Sequence, residues 1–479
     1  MKKLPVEISS ECWEKCLDEK RKIEFELYGK IYYNKISIHH SRSAEGSVSR
    51  AAEGAETVEG TRKEIAAGVY LTYLPAQKFK TSLLSAQFVT PLSQERVSAC
   101  ALLPAVLRRG TVSCPDLGAL SEQLDRLYGA RIDYTVRKKG ENQCVGFVAS
   151  LIDDSFVPGG EKLLEPVADL LGELICDPAT ERGRFVPAYF ESEKQNLADA
   201  VRSIINDKRD YADLRLLQEM CAGEPYGISR LGDEKSVEKL QSQKLYAQYG
   251  DLISTARLEL IYSGSAALER VEQALLHALA TLPRDGIRDI ALAVPHVLRP
   301  EVKVVEDAMD VTQGKLGMGF ACGSEDTAAL LMGNTIFGGS SNSKLFLNVR
   351  EKLSLCYFAS SVYHRQKGII TVSSGIEFQN YQKAYDEIML QLKAVQDGDL
   401  EDWELEGARS TLLNAYASMG DSQGKLENFY LGQAATGQAE TPDLLAKEIQ
   451  NVTADRIFAA MRTVSLDTVY FLKGKEAAE

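Results

Sequence analysis

Five histidines, His39, His40, His277, His296 and His364, are the side chains of this sequence best suited to metal or proton chemistry, and their spacing is uninviting. Two histidines four apart on one helix face, with a glutamate between them, would hold zinc and place a general base beside the metal-bound water. No two of the five are spaced for such a helical pair, and none has a companion glutamate in that pattern. The consequence is large. Zinc brings the pKa of its water from about 15.7 to about 7, so without it hydroxide at neutral pH is scarcer by roughly eight orders of magnitude. His277, in the apolar run Leu275-Leu276-His277-Ala278-Leu279, reads as a helix histidine with a local partner, and His39-His40 carry no motif. The nine cysteines are irregularly spaced. Cys12 and Cys16, the one close pair, cannot close a structural zinc site without further ligands and read as buried or incidental. Cys356 adjoins Tyr357, but nothing nearby marks it as a nucleophile. No Ser-His-Asp or Cys-His constellation stands out for a hydrolase of another kind.

Two glycine motifs read as structural. Gly338-Gly339-Ser340-Ser341-Asn342 lacks the spacing of a phosphate cradle, and Asn342 or Ser343 makes an adequate helix N-cap. Gly317-Met318-Gly319, in strand-like sequence beside Phe320, reads as a close backbone approach rather than a nucleotide site.

The elements that position these residues occur twice. At 479 residues the chain is too long for one ordinary core. Its 44% hydrophobic and 26% charged residues are those of a soluble globular protein. A formal charge of -13 argues against nucleic acid and anionic membrane as partners, since both need a basic face. It suits cationic peptides, although solubility is the commoner reason for it. No apolar run approaches a membrane span, no secretory signal is visible after Met1-Lys2-Lys3, and scattered thiols point to the cytoplasm.

Residues 1–66 are expected to be an appendage ending in a flexible, glycine-punctuated linker at 41–60. From Gly68 the pattern firms up. A helix marked by Leu120, Leu124, Leu127 and Tyr128 turns at Gly129 into a strand with Ile132, Tyr134 and Val136. After a turn at Lys139-Gly140, Val145, Phe147, Ala149 and Leu151 form a second strand, and a helix with Leu163, Leu164, Val167, Leu171 and Leu174 follows. The second half repeats this order. A helix at 343–352 precedes a strand near Tyr357, a turn at Lys367-Gly368, and a strand with Ile370, Val372, Ser374 and Ile376. The helix after it carries Tyr381, Ala384, Tyr385, Ile388, Leu392 and Val395. Residues 237–264 and 445–474 then close the two halves alike. The predicted class is α+β: two homologous domains at 67–282 and 301–479, joined by a proline-interrupted linker at 283–300. Each is expected to be a mixed sheet with helices packed on one face, the pair enclosing a cleft.

The run Ile336 to Phe346, continuing Leu347-Asn348-Val349-Arg350-Glu351-Lys352-Leu353-Ser354-Leu355-Cys356-Tyr357, resembles the second-domain signature of the pitrilysin/insulinase/processing-peptidase family of zinc metallopeptidases. In that family a glycine/serine turn opens a helix ending in Arg-Glu-Lys, and a tyrosine follows seven residues after the arginine. Arg350 and Tyr357 keep that spacing. The duplicated halves extend the resemblance from about Gly68 to the C-terminus, and inactive bacterial partners of an active peptidase look most similar. The family's first domain carries His-x-x-Glu-His on a helix before a Gly-Thr pair. Counting back from Gly110-Thr111, those positions hold Ala101-Leu102-Leu103-Pro104-Ala105, and the proline is expected to strain or break the helix. With Glu193 on the family's accessory glutamate, the third ligand position falls on Ala200; a slip of one residue gives Asp199.

The resemblance therefore implies a chain that binds no zinc and cleaves nothing alone. Its leading expectation is a non-catalytic subunit of a heterodimeric zinc peptidase. Arg350 and Tyr357 would reach the substrate backbone and developing oxyanion, and a zinc-bearing partner of the same family would supply the metal. The alternative is a peptide- or protein-binding scaffold without proteolysis; some inactive bacterial relatives are associated with elongation factor P modification.

Overall fold

Strands with apolar side chains on alternate positions pair here into two large sheets, beside a short two-stranded ribbon at Thr180–Glu181 and Arg184–Phe185. In the computed structural model, which describes residues 60–475, the first sheet has six strands. They are β1 (Thr61–Ala66), β2 (Val69–Pro75), β3 (Thr81–Pro91), β4 (Arg131–Lys139), β5 (Asn142–Ile152) and β6 (Arg257–Gly264), in the order β1-β2-β6-β3-β5-β4. The second contains β7 (Lys303–Met309), β8 (Gly314–Cys322), β9 (Cys356–His364), β10 (Ile369–Ile376) and β11 (Val464–Gly474), in the order β9-β10-β8-β11-β7. Read from its far edge, the second sheet repeats β2-β6-β3-β5-β4 strand for strand. The one parallel pair of each sheet falls in the same place, β2 on β6 and β7 on β11. Gly140 and Gly368 close the equivalent hairpins with φ of 56° and 64°, where a side chain would be strained.

Residues 61–66, expected within the appendage, are instead the edge strand β1, registered on β2. Arg62 anchors it, its guanidinium forking onto Glu259 at 2.7 and 3.1 Å. The expectations for Cys12, Cys16, His39, His40 and residues 1–59 fall outside the described residues. His277 stands exposed in the last turn of its helix. Its expected local partner is missing: among the described residues its side chain makes no hydrogen bond.

Helices cover one face of each sheet. In the first half α1 (Val97–Leu107) and α2 (Leu164–Cys176) pack with Leu71, Phe88, Val145 and Leu260, and α3 (Pro187–Ser203) lies against α1. The opposite face is covered by a helix from the other half. Ala212 and Leu216 of α4 (Lys208–Met220) pack on Tyr470 and Leu472 of β11. Gly317 and Gly319 make room for this crossing: a Cβ on Gly319 would stand 2.5 Å from Met220 Sδ, and one on Gly317 3.2 Å from Leu216. The Gly-Met-Gly run is thus the close approach expected of it. In exchange α6, so numbered after α5 (Tyr381–Asp397) on the second sheet, spans Gln423–Thr436 and sets Leu426, Tyr430, Leu431 and Ala435 against Leu74, Val89, Cys144 and Ile261. Each fully buried side chain of this size contributes about 1.5–3 kcal/mol.

Residues 283–299 form neither helix nor strand but are firmly fastened. The Arg284 guanidinium donates to the carbonyls of Ala67, Gly68, Ile253 and Ala256. Asn142 Nδ2 donates to the carbonyls of Ala291 and Ala435 at 2.6 and 2.8 Å, tying the segment and α6 to one side chain. Among the described residues no helix is long and apolar enough to cross a membrane.

Candidate functional site

The helix that would carry a zinc motif is apolar apart from Ser98, and it is buried at every position from Val97 to Leu107. Such a helix belongs inside a core and cannot line an open site. Ala101 and Ala105 are 3% and 7% exposed, and Pro104 is buried between them. The helix runs unbroken through Pro104, contrary to the expectation of a break. Proline removes one amide donor, and enclosure of the whole helix by α3, β4 and β5 holds the backbone in place. The positions offer no ligand, nucleophile or acid.

On α3, Glu193 is buried and engaged. Arg109 donates to its Oε1 at 2.9 Å and Asn196 to its Oε2 at 3.0 Å. The Arg109 guanidinium also lies 5.1 Å from the centre of the Tyr189 ring. Ala200 is exposed one turn before the helix ends, and Asp199 is bonded to Gln195 and Arg202. No described residue brings a second carboxylate to Glu193.

The second-half residues stand in the opposite situation. Arg350 ends a segment, Leu345–Lys352, wound with π-type turns, and Ser343 Oγ accepts from the Phe346 N–H at its start. Its guanidinium lies 4.6 Å from the centre of the Phe346 ring and 3.5 Å from Glu351, with 40% of the side chain open to solvent. Ser354, at φ 50°, then turns the chain into β9, an edge strand. Register jumps there, Cys356 facing Ile376 and Phe358 facing Gly375, so Tyr357 is the extra residue of a bulge. Bulges re-aim side chains. Tyr357 is 62% exposed, and its hydroxyl donates to Glu377 Oε1 at 2.6 Å, a bond that with the carboxylate's charge raises the phenol's pKa. Arg350 and Tyr357 thus offer a cation and a hydroxyl at the surface, without a direct bond to each other.

A third group of residues carried no sequence signal. Lys367, at the β9–β10 turn, is 1% exposed and places Nζ 2.5 Å from both Glu141 Oε1 and Glu224 Oε2 of the first half. Burial pulls its pKa down, but the two carboxylates outweigh burial and hold it above its ordinary value. Glu224 moves the other way: burial raises it, and bonds from Lys367 and His296 bring it below the usual range. His296 sits between Glu224, 2.6 Å from Nδ1, and the fully buried Asp467, 3.2 Å from Nε2. Nearby, Tyr226 Oη lies 3.0 Å from His364 Nδ1, whose imidazole is pushed down to about 4 by burial and the charge of Lys138. The only advance hint was the Lys367-Gly368 turn itself. Its partner Glu141 lies 226 residues back, and those of His296 lie 72 back and 171 ahead.

Comparisons with known proteins place the chain among relatives. A family model described as Peptidase M16 inactive domain matches residues 239–412. A Bacillus subtilis (strain 168) protein named "Probable inactive metalloprotease YmfF" is 36% identical over 418 residues, 86% of this chain and 97% of that protein. Among solved structures, a conserved protein from Enterococcus faecalis V583 superposes with a TM-score of 0.79 at 27% identity, covering 87% of this chain and 99% of that one. A peptidase M16 inactive domain from Pseudomonas fluorescens gives a TM-score of 0.71 over 87% and 98% of the two chains; at 18% identity it speaks for the fold alone.

Proposed function

From the premise that this chain belongs to the M16 peptidase family as an inactive peptidase homologue, we propose that it is the non-catalytic subunit of a heterodimeric zinc peptidase. Zinc is carried by a partner of the same family, and this chain contributes Arg350 and Tyr357 to the handling of a peptide substrate. One contrast supports this reading: the positions of the lost zinc motif are sealed in a core, while Arg350 and Tyr357 stay polar and open. Donors aimed at developing negative charge assist acyl chemistry from whichever subunit holds them. The seven described cysteines are all unpaired, which suits a reducing compartment, and we assign the cytoplasm.

Affinity purification of the tagged chain from its native cells, followed by mass spectrometry and peptidase assays with and without chelator, tests the proposal. Recovery of a family member bearing His-x-x-Glu-His, with chelator-sensitive activity, is expected. Recovery of the chain alone and inactive would turn the assignment to a peptide- or protein-binding scaffold.

A further inference from the structure

Three metal-donor side chains converge where the halves meet, and the subunit role makes no use of them. Cys221 directly follows α4, Glu224 lies three residues on, and His296 comes from the segment joining the halves. One ligand atom of each, the Cys221 sulfur, a Glu224 carboxylate oxygen and a His296 ring nitrogen, lie within 4.8 Å of one another. Tetrahedral zinc with ordinary bond lengths holds its donors roughly 3.4–3.6 Å apart. Side-chain rotation is therefore enough to close the set. The mixture of sulfur, nitrogen and oxygen suits zinc and excludes calcium and magnesium, which take oxygen.

Two surroundings strengthen the case. Asp467, fully buried, faces His296 Nε2 at 3.2 Å and also accepts from the Arg299 N–H at 3.0 Å. A carboxylate behind a histidine fixes the ring and its tautomer for metal binding, here leaving Nδ1 directed at Glu224. Cys221 and Glu224 also line a cavity of about 420 Å³, with Gln218, Ser229 and Asp233 among its other walls. The cavity provides an entry path and room for a water as fourth ligand.

Lys367 works against a cation, because its ammonium already sits on Glu224. It need not leave. Glu224 presents Oε2 to Lys367 and Oε1 to His296. Glu141, the other acceptor of Lys367, has its Oε2 buried without a hydrogen-bond partner and can take more of the ammonium. The exchange balances: Zn²⁺ enters, the Cys221 thiol releases its proton to solvent, and His296 and Glu224 bind through lone pairs.

We propose that Cys221, Glu224 and His296 form a zinc site, completed by water, that clamps the first half to the segment entering the second. It is distinct from the family's catalytic site at Ala101, Pro104 and Ala105.

The test uses the full chain, stripped with chelator and dialysed against ZnCl₂, with bound metal counted by mass spectrometry and affinity measured by chelator competition. Co²⁺ in place of zinc reports sulfur ligation through a thiolate-to-metal charge-transfer band. The expected result is one zinc ion per chain more than Cys221→Ser holds, and a Co²⁺ band that this variant lacks. Cys221→Ser should weaken this site by more than about 100-fold, whereas Asp467→Asn should cost the roughly 10–100-fold of an outer-shell partner and keep the band. Glu224→Gln, at a partly exposed position, repeats the measurement if Cys221→Ser does not fold. Zinc stoichiometry and affinity unchanged by Cys221→Ser or Glu224→Gln, or no thiolate band in the parent chain, would overturn the proposal.

Discussion

The α1 helix of the first half and the Leu345–Lys352 segment of the second stand in opposite settings, one sealed in a core and the other ending at the surface. In α1 every position is buried, and its one hydroxyl, Ser98, is taken up by Leu231 and Ser236. In the second half the arginine and tyrosine survive, one at the end of a π-wound segment and one lifted by a bulge. The surroundings of Ala101, Pro104 and Ala105 are thus a hydrophobic interior, with no space left for a metal and its ligands. The surface donors carry no comparable packing demand, so nothing in the core holds them in place. Within β9 the same contrast recurs, from Tyr357 in solvent at one end to the half-buried His364, bonded to Tyr226 of the first half, at the other.

The strongest attempt to break the comparison is to restore the motif. Ala101→His, Pro104→Glu and Ala105→His together should cost more than about 4–5 kcal/mol, because they bury unpaired polar groups in a filled core. Urea denaturation measures it; a folded variant that takes up zinc with the affinity of a metallopeptidase would show the site to be merely emptied. Next in size is Lys367→Ala, which strands Glu141 and Glu224 without their cation. A loss of about 3–5 kcal/mol is expected in the same measurement.

His364 sharpens the comparison through pH. Its folded pKa, about 4, lies below the ordinary 6.5, so the folded state binds fewer protons than the unfolded chain between those values. Stability therefore falls as pH drops through that window, by about 3 kcal/mol in all. His364→Gln should flatten this slope in denaturation curves taken from pH 7 to pH 4. The smallest effect on stability belongs to Arg350→Ala with Tyr357→Phe, within about 0.5 kcal/mol since both are exposed. Turnover of the reconstituted complex should nevertheless fall by about 10²–10³-fold. Unchanged turnover would remove the role assigned to the pair.

Much of the fold was legible because it is written locally. Period-two alternation marks β4, β5 and β10, and glycines at positive φ mark their turns. The absence of a paired-histidine motif is a fact of the sequence itself, since five histidines without the spacing need no structure to be noticed. The sequence did not tell what covers the second face of each sheet. Gly317 and Gly319 signalled an intruder, but not that Leu216 and Met220 were the ones. Lys367 read as a turn residue because its chemistry depends on carboxylates brought up by the opposite half. His296 read as a residue without a motif for the same reason. Pro104 misled in the other direction, since local propensity yields to a helix packed on all sides.

The exchange of helices between the sheets also sets a timetable. The first sheet is complete once β6, ending at Gly264, has been made, yet its cover α6 ends at Thr436. At about 5–20 residues per second, synthesis leaves Leu74, Val89, Cys144 and Ile261 facing water for roughly 10–35 s. Through that interval this face of the first sheet is an open apolar surface, closed only when α6 arrives.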